Sequence, residues 1–227
     1  MKRILTLAAA AAALACGSTS SNNAATSRNN PGAGSSTLLV QGDINASTTA
    51  GAPLTTFSVT VRDGAGNTVG GATVTVLNAS LPNGSIALVQ ATPPTGAYAN
   101  SVASFPTGDF RLDVVKGTDS VQGVVVGGPG MATINAPVLN STVTANKDLP
   151  VSWTTPAVAK QVTVSTRDMS FSGPDLGAYT IVAGQNPPRA SQRVRVDRFN
   201  EVEAAGGLVG SRLSVMYRAS IDPFTVQ

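Results

Sequence analysis

Short stretches in which apolar and polar residues alternate one by one constrain the fold of this chain more than any other feature. Phe57, Val59 and Val61 alternate with polar neighbours, and the stretch 72–77 repeats the pattern after the glycine-rich stretch 63–67. A period of two places the apolar side chains on one face of a β-strand. Asp-Gly and Gly-Asn pairs suit the tight turn between two such strands. The pattern therefore predicts antiparallel strands with one buried face.

Further strand-like runs follow along the whole chain, at 85–90, 97–103, 110–115, 121–126, 149–153, 161–165, 191–197, 212–218 and 224–226. The sequence has 23 Gly, 14 Pro and only 12% charged residues, a composition that favours turns and strands over helices. Short strands separated by turns at regular intervals are typical of β-sandwiches. We expect an all-β protein with two tandem Greek-key sandwiches, 37–137 and 138–227, divided near Pro137.

The N-terminal residues have the features of an export signal. A basic start is followed by the apolar run 4–14, which is shorter than the roughly 20 residues of a membrane-spanning helix. Small residues then lead to Cys16, the only cysteine of the chain. The stretch 13–16 (Ala-Leu-Ala-Cys) resembles the lipobox of bacterial lipoproteins, with Ala13 in the place where leucine is usual.

The lipoprotein resemblance implies three things. Residues 1–15 would be removed as a signal peptide, and Cys16 would carry acyl chains such as palmitate. Residues 16–36, which are rich in Gly, Ser, Asn and Ala, would form the lipidated start and a flexible tether. Gly17 stands where aspartate would retain the protein in the inner membrane, so the resemblance implies the outer membrane, with the protein facing the periplasm or the cell surface. The alternative is a soluble exported protein with a free thiol at Cys16.

Charge and composition exclude several functions. Without Lys2 and Arg3 the mature chain is nearly neutral, so nucleic-acid binding has no electrostatic basis. The chain contains no histidine, which excludes the usual Ser-His-Asp and Cys-His catalytic sites and the usual zinc sites. We therefore expect no cofactor, no metal and no enzymatic activity.

Two resemblances to known families are carried by scaffold motifs. The stretch 59–76, with its Asp63, Gly66-Asn67 and Gly71-Ala72 positions, resembles the hairpin of bacterial Ig-like and carboxypeptidase-regulatory-like domains, as do 95–98 and 106–112. The Leu-x-Val-x-Trp pattern of 149–153 resembles fibronectin type III or other Ig-like domains. Both resemblances imply a sandwich scaffold and no particular activity.

Two groups of acidic and amide residues could suggest chemistry. Asp63 and Asn67 bracket a glycine turn, but a calcium loop needs six or more oxygen ligands, and turn formation explains both residues. Asp109 and Asp113 would share one face of a strand about 13 Å apart, at the outer edge of what paired-carboxylate hydrolases use. We interpret both groups as structural or solvated.

The densest basic stretch is the best candidate for a binding surface. Arg189, Arg193, Arg195 and Arg198 could contact an anionic partner such as lipopolysaccharide or a protein. The plainer interpretation is an exposed face partly neutralised by neighbouring acidic residues. Arg193 and Arg195 are expected on the strand face opposite Val194.

Aromatic residues could instead form a platform on which sugars stack. The candidates are Trp153, Tyr98, Tyr179 and Tyr217, although aromatic residues of sandwiches usually fill the core. The sequence therefore favours a non-catalytic envelope lipoprotein with a structural, adhesion or protein-interaction role, held to the membrane by its lipid. The alternative is a carbohydrate- or lipopolysaccharide-binding module.

Overall fold

The computed structural model describes residues 29–49, 51–92 and 95–227. The predicted signal peptide 1–15, Cys16 and the tether as far as residue 28 lie outside the described residues. The strands are β1 (Ala33–Gly34), β2 (Leu38–Thr49), β3 (Ala52–Asp63), β4 (Thr73–Leu77), β5 (Ser85–Ala87), β6 (Val89–Gln90), β7 (Ala97–Val102), β8 (Asp109–Lys116), β9 (Asp119–Gly127), β10 (Ile134–Ala136), β11 (Thr142–Val143), β12 (Leu149–Trp153), β13 (Gln161–Ser165), β14 (Ser170–Gly173), β15 (Ala178–Ile181), β16 (Arg189–Glu203) and β17 (Arg212–Val226). Two short 3₁₀ turns, Pro82–Gly84 and Ala183–Gln185, complete the regular structure. The all-β prediction is confirmed.

The strands form two sandwiches, which we call the first and second lobes. In the first lobe, β2, β3, β7 and β6 lie side by side in one sheet, and β9, β8, β4 and β5 lie side by side in the other. In chain order this is the A-B-E-D and G-F-C arrangement of an immunoglobulin-type sandwich, with β5 added beside strand C. Alternate side chains of the two sheets, such as Phe57 and Phe110, meet in the core with ring centroids 6.4 Å apart.

The second lobe repeats the same plan in a smaller form. One sheet has the order β10-β12-β15, and the other contains β14, β13, β16 and β17, with β11 parallel to β17. Taken along the chain, these are strands A, B and E facing strands C′, C, F and G. Trp153 and Val194 are buried in this core. Both lobes are therefore Ig-like by their own strand order.

One long hairpin, formed by β16, β17 and the turn between them, joins the lobes. Near its open end, Val194 and Phe224 pack in the core of the second lobe. Near its closed end, Leu213, Val215 and Tyr217 are buried in the core of the first lobe. There β17 pairs in parallel with β2, from Arg212 opposite Gln41 to Arg218 opposite Ser47. The result is a single nine-stranded sheet that runs through both lobes; we call it the shared sheet.

The structure divides the chain differently from the predicted boundary near Pro137. The strand Ile134–Ala136 pairs with β12 of the second lobe, and Met131 is the last residue before it that packs against the first core. In the other direction, the closed end of the long hairpin belongs to the first core although it follows residue 137. Residues 37–137 therefore lack part of the first core, and residues 138–227 lack one strand of the second lobe.

Residues 29–36 were predicted to belong to the tether, and this was wrong. Their backbone pairs with β9, with Asn30 opposite Val125 and Ala33 opposite Gln122. They also lie against the turn of the long hairpin, where Ser36 N donates to Gly206 O at 3.0 Å. A Cβ at Gly206 would lie 2.0 Å from a backbone carbon of β1, so only a residue without a side chain permits this approach. The small residues of this segment gave it the composition of a disordered tether. The same small residues allow its backbone to lie close to β9 and to the hairpin turn.

Candidate functional site: the lobe junction and the outer face of the shared sheet

The four arginines predicted to form one surface lie on β16 but point in different directions. Arg193 and Arg195 are half-buried on the side of the sheet that faces away from both cores. Arg189 donates to Asp168 through Nε at 3.0 Å. Arg198 has no exposed surface, because it falls in the inward-facing register of β16 with Val194. Arg198 therefore does not belong to the predicted anionic-partner surface.

Arg198 instead organises the junction between the lobes. Its Nε donates to Asp175 Oδ2 at 2.7 Å, and its Nη2 lies 2.6 Å from the same carboxylate. Its Nη1 donates to the carbonyls of Pro129 and Gly130, and Nη2 also donates to the carbonyl of Ala157. An arginine has five N–H donors; here four of them make hydrogen bonds, and Nη2 also contacts the Asp175 carboxylate.

Asp175 is the matching acceptor of this junction. Its side chain is 2% exposed, and its second oxygen, Oδ1, accepts a hydrogen bond from Trp153 Nε1 at 2.8 Å. Buried charges are tolerated when they are paired and their remaining donors and acceptors are satisfied. The ion pair thus links β16, the loop before β15 and the segment that connects the two lobes.

Asn200 extends the same network by one inward position of β16. Its Nδ2 donates to Gly127 O at 2.7 Å and to Val158 O at 2.8 Å, and its Oδ1 accepts from Lys160 N at 2.7 Å. Tyr217, also buried, donates its hydroxyl proton to the carbonyl of Pro106. Burial raises the pKa of Tyr217, so the hydroxyl remains a donor at neutral pH. The inward polar residues of the hairpin thus make hydrogen bonds to loops of both lobes.

The outward residues of β13, β16, β17, β2 and β3 form a broad surface that we call the outer face. Half-buried Phe199 and Met216 are opposite each other near its centre. Around them the outward positions carry mostly hydroxyl and amide side chains, among them Thr163, Ser214, Asn45 and Thr56. These four side chains are exposed or half-buried and belong to neither core.

The half of the outer face in the second lobe is basic; we call it the basic end. Arg218 and Asp197 form a bidentate ion pair with two distances of 2.7 Å. Arg193 and Arg195, in contrast, have no carboxylate partner among the described residues, and the Nε of each is buried without a hydrogen-bond partner. Burial, followed by the nearby charges of Arg218 and Arg193, lowers the pKa of Arg195. The basic end therefore carries an excess of positive charge and two unused donors.

The half of the outer face in the first lobe is acidic; we call it the acidic end. Arg212 lies 3.1 Å from Asp43 Oδ1 and 2.9 Å from Glu201 Oε2. Ser214 also donates to Asp43, at 2.7 Å. Glu203, which is opposite Arg212 in the ladder, is exposed and has no ion pair among the described residues. One arginine thus faces three carboxylates, which the sequence analysis did not single out because they come from distant parts of the chain.

Two of the carboxylates considered in the sequence analysis, those of Asp63 and Asp113, are held by local structure. Asp63 accepts hydrogen bonds from Ala65 N and Asn67 N at 2.9 Å and from Asn67 Nδ2 at 3.1 Å. These bonds, led by that from the Asn67 side chain, lower the pKa of Asp63. Asp113 pairs with Arg111 at 3.0 Å and accepts from Gly123 N. In the part of the chain that the structure describes, no three His, Cys, Asp or Glu residues are grouped to hold a metal ion.

The aromatic residues do not form an exposed platform. Tyr98 and Tyr217 are 1% exposed and Trp153 is 4% exposed. Tyr179 is half-buried and stacks on Phe171, with ring centroids 4.1 Å apart and an interplanar angle of 14°. This pair covers one edge of the second core, so the aromatic surface needed for sugar stacking is used inside the protein.

A cleft of about 290 Å³ lies in the second lobe, lined by residues 136–137, 143–144 and 147–150. Its one carboxylate, that of Asp148, accepts a hydrogen bond from Ala183 N at 2.9 Å. No helix of the described residues has the length and apolar character needed to cross a bilayer. We therefore take the outer face as the candidate site, because some of its charged side chains have no neighbour of opposite charge.

No protein-family model and no curated protein matches the chain. Solved structures that it resembles include fibronectin(III)-like modules of CbhA from Clostridium thermocellum (14% identity, 83% of this chain and 91% of that chain, TM-score 0.27). Others are the IG1+IG2 part of DIP-gamma (14%, 84% and 98%, TM-score 0.26) and the adhesin InvE of Yersinia pseudotuberculosis (15%, 84% and 60%, TM-score 0.23). The chain thus spans 60% of the InvE chain. Likenesses of this size add nothing to the Ig-like description, which rests on the strand order of the chain itself.

Proposed function

We propose that the protein is a bacterial envelope lipoprotein, anchored through Cys16 to the outer membrane, in which the two Ig-like lobes form one non-catalytic body for a structural or protein-interaction role. The observation that carries the proposal is the shared sheet. It joins the lobes through a buried ladder and leaves one broad, charged face uncovered. A body of this kind suits the presentation of a surface to another macromolecule.

The distribution of polar groups supports a non-catalytic role. The chain has no histidine, and the carboxylates Asp63, Asp113 and Asp175 are held by turns or by arginines. Catalytic sites need titratable groups that converge on a cleft. We also propose that the first lobe is of the carboxypeptidase-regulatory-like type, on the sequence motif at 59–76. The hairpin expected there is not formed, because β3 and β4 lie in opposite sheets and pair with other strands.

The alternative, a carbohydrate- or lipopolysaccharide-binding module, has less support. It needs exposed aromatic rings or a continuous basic surface. Trp153 and Tyr98 are buried, and Arg198 and Arg189 are already paired with carboxylates. Arg193 and Arg195 alone would have to bind the glycan.

The anchor is tested by fractionating cells that express the wild-type chain, Cys16→Ser and the control Ser18→Ala. We expect the wild-type and Ser18→Ala proteins in the detergent-soluble membrane fraction and Cys16→Ser in the aqueous fraction. Mass spectrometry of the N-terminal peptide should show a chain that begins at acylated Cys16. An unmodified residue 16, or membrane retention of Cys16→Ser, contradicts the anchor.

The interaction role is tested by placing a photo-crosslinking amino acid at single positions of the anchored protein. Ser58 lies exposed on the outer face, and Arg111 lies exposed on the far sheet of the same lobe. We expect defined adducts with a macromolecule of the envelope from position 58 and few from position 111. Equal or absent labelling at the two positions contradicts the assignment of the outer face as the presented surface.

A further inference from the structure

The outer face carries opposite charges at its two ends. At the basic end, Arg193 and Arg195 exceed the carboxylates available to them, since Asp197 is taken by Arg218. At the acidic end, Asp43, Glu201 and Glu203 outnumber the two outward arginines, Arg212 and Arg62. A surface with this distribution is electrostatically complementary to a copy of itself turned end to end.

The charges are also placed evenly about the centre of the face. Along β16, Arg195 lies four residues before Phe199 and Glu203 lies four residues after it. All three are outward, because they occupy alternate positions of one strand. At about 3.3 Å per residue, each charge lies about 13 Å from Phe199.

We propose that the protein forms a dimer in which the outer faces of two copies stack end to end about a two-fold axis near Phe199. Arg195 then meets Glu203 of the partner subunit, and the contact occurs twice. The partner's Glu203 supplies an acceptor for the Arg195 guanidinium, which lacks a carboxylate partner within one chain. Asp197 and Glu201, which approach the partner's Glu201 and Asp197, are each already paired with an arginine.

The size of the face is sufficient for such a contact. The stretch 193–203 of β16 is about 33 Å long, and four strands about 4.8 Å apart give a width of about 19 Å. Stacking would bury up to about 600 Å² on each copy, or about 1,200 Å² in total, which is at the low end of specific interfaces. Phe199 and Met216 would contribute the apolar centre, and hydroxyl and amide groups would surround it. Because charges dominate, the association is expected to weaken as salt screens them.

A second copy explains the whole face better than a polyanion does. A polyanion would satisfy Arg193 and Arg195 but would be repelled by the acidic end of the same surface. A second copy places opposite charge against Arg195 at the basic end and Glu203 at the acidic end at once. The proposal rests on the proposed function in one respect, because it names a second copy of the chain as the macromolecule that the outer face contacts. It does not depend on the lipid anchor, and it is tested on purified protein.

The experiment is sedimentation velocity of the chain carrying Cys16→Ser, which removes both the acylation site and the only thiol. We expect a dimer at low salt and at least a tenfold weaker association at about 500 mM NaCl, where the Debye length is only a few ångströms. Arg195→Glu alone and Glu203→Arg alone should each be monomeric. The control Arg111→Glu, on the opposite sheet, should dimerise like the parent.

The decisive test is the mixture. Arg195→Glu and Glu203→Arg chains mixed in equal amounts should form a heterodimer, because opposite charges then meet in both contacts: glutamate at 195 of the first variant meets arginine at 203 of the second, and the unchanged Arg195 of the second variant meets the unchanged Glu203 of the first. The double variant in one chain should form a homodimer for the same reason. Heterodimer formation also shows that both single variants are folded; where a reversed variant fails to fold by circular dichroism, Arg195→Gln and Glu203→Gln should each weaken the dimer.

Several outcomes would overturn the proposal. A parent chain that stays monomeric at about 100 µM and low salt, well above the Kd of an ordinary specific contact, excludes the dimer. A dimer that persists in both single variants uses another surface. Folded single variants that remain monomeric when mixed exclude the end-to-end arrangement. A monomeric parent chain that binds a polyanion, with that binding lost in Arg195→Glu, would assign the basic end to such a ligand instead.

Discussion

Replacing Arg198 with methionine should destabilise the whole protein. The side chain has no exposed surface, and its four hydrogen bonds reach the Asp175 carboxylate and three backbone carbonyls. Methionine fills part of the volume but donates no hydrogen bond. The variant therefore leaves a carboxylate that is 2% exposed without its counter-charge.

The expected magnitude follows from that uncompensated charge. Removing one partner of a buried ion pair costs about 3–5 kcal/mol. In a protein of this size, each kcal/mol lowers Tm by about 2–4 °C, so Tm should fall by about 6–20 °C. The control is Arg62→Met. Arg62 is exposed and donates to Gly66 O at 3.2 Å, and its loss should change the free energy of unfolding by less than about 0.5 kcal/mol.

A double variant separates lost charge from lost packing. In Arg198→Met with Asp175→Asn, the buried residue is neutral and its amide oxygen can still accept from Trp153 Nε1. The double variant should be more stable than Arg198→Met alone by at least about 1 kcal/mol. Urea unfolding followed by tryptophan fluorescence measures the four proteins of the cycle: the wild type, Arg198→Met, Asp175→Asn and the double variant. A loss below about 1 kcal/mol for Arg198→Met, or strict additivity in the cycle, would refute the reasoning.

Three other predictions concern different parts of the fold. Residues 37–137 expressed alone should fail to fold cooperatively, because the hairpin side chains Leu213, Val215 and Tyr217 are missing from their core. Burying each of these side chains contributes about 1.5–3 kcal/mol. A cooperative urea transition of this fragment would contradict the prediction. Gly206→Ala should cost about 2 kcal/mol or more, since its Cβ would lie 2.0 Å from backbone of β1, whereas Gly184→Ala has open space and should cost little; equal effects would show that the close approach is unimportant. Hydrogen bonds from Arg189 lower the pKa of Asp168 in the folded protein, so their stabilisation is present above the unfolded-state pKa near 3.9 and disappears as pH falls through the lowered value. Asp168→Asn should therefore destabilise the protein at pH 7, and the difference should vanish in strong acid; a difference that grows with acidity would contradict the assignment.

The local elements of the fold could be predicted from the sequence with little else. The alternation around Phe57 and Val59 and the Asp63 turn correspond to β3 and the turn that follows it. These features depend on neighbouring residues, because a period of two and an Asp-Gly pair express their preference within a few positions. The same reasoning gave the all-β class and the sandwich architecture.

The length of β16 could not be predicted in the same way. Val194 and Val196 are the apolar residues of the alternating pattern, and the next inward positions are Arg198 and Asn200. Because these two residues are polar, the strand was expected to end at residue 197. The strand continues to Glu203, because loops distant in sequence supply partners for these two polar side chains. Buried polar residues can be recognised only when their partners are known.

The shared sheet was missed for a related reason. Its closed end pairs β17 with β2, and these strands are separated by most of the chain. Parallel pairing over such a distance leaves no local signal. The acidic end of the outer face, which combines Asp43 with Glu203, depends on the same pairing and was invisible for the same reason.

Differential scanning calorimetry of the whole chain tests most directly whether the long hairpin makes the two lobes one body. We expect a single transition whose calorimetric enthalpy equals its van't Hoff enthalpy, because neither core is complete without residues of the hairpin. Two separable transitions, or a calorimetric enthalpy well above the van't Hoff value, would show that the lobes unfold independently and would contradict the account.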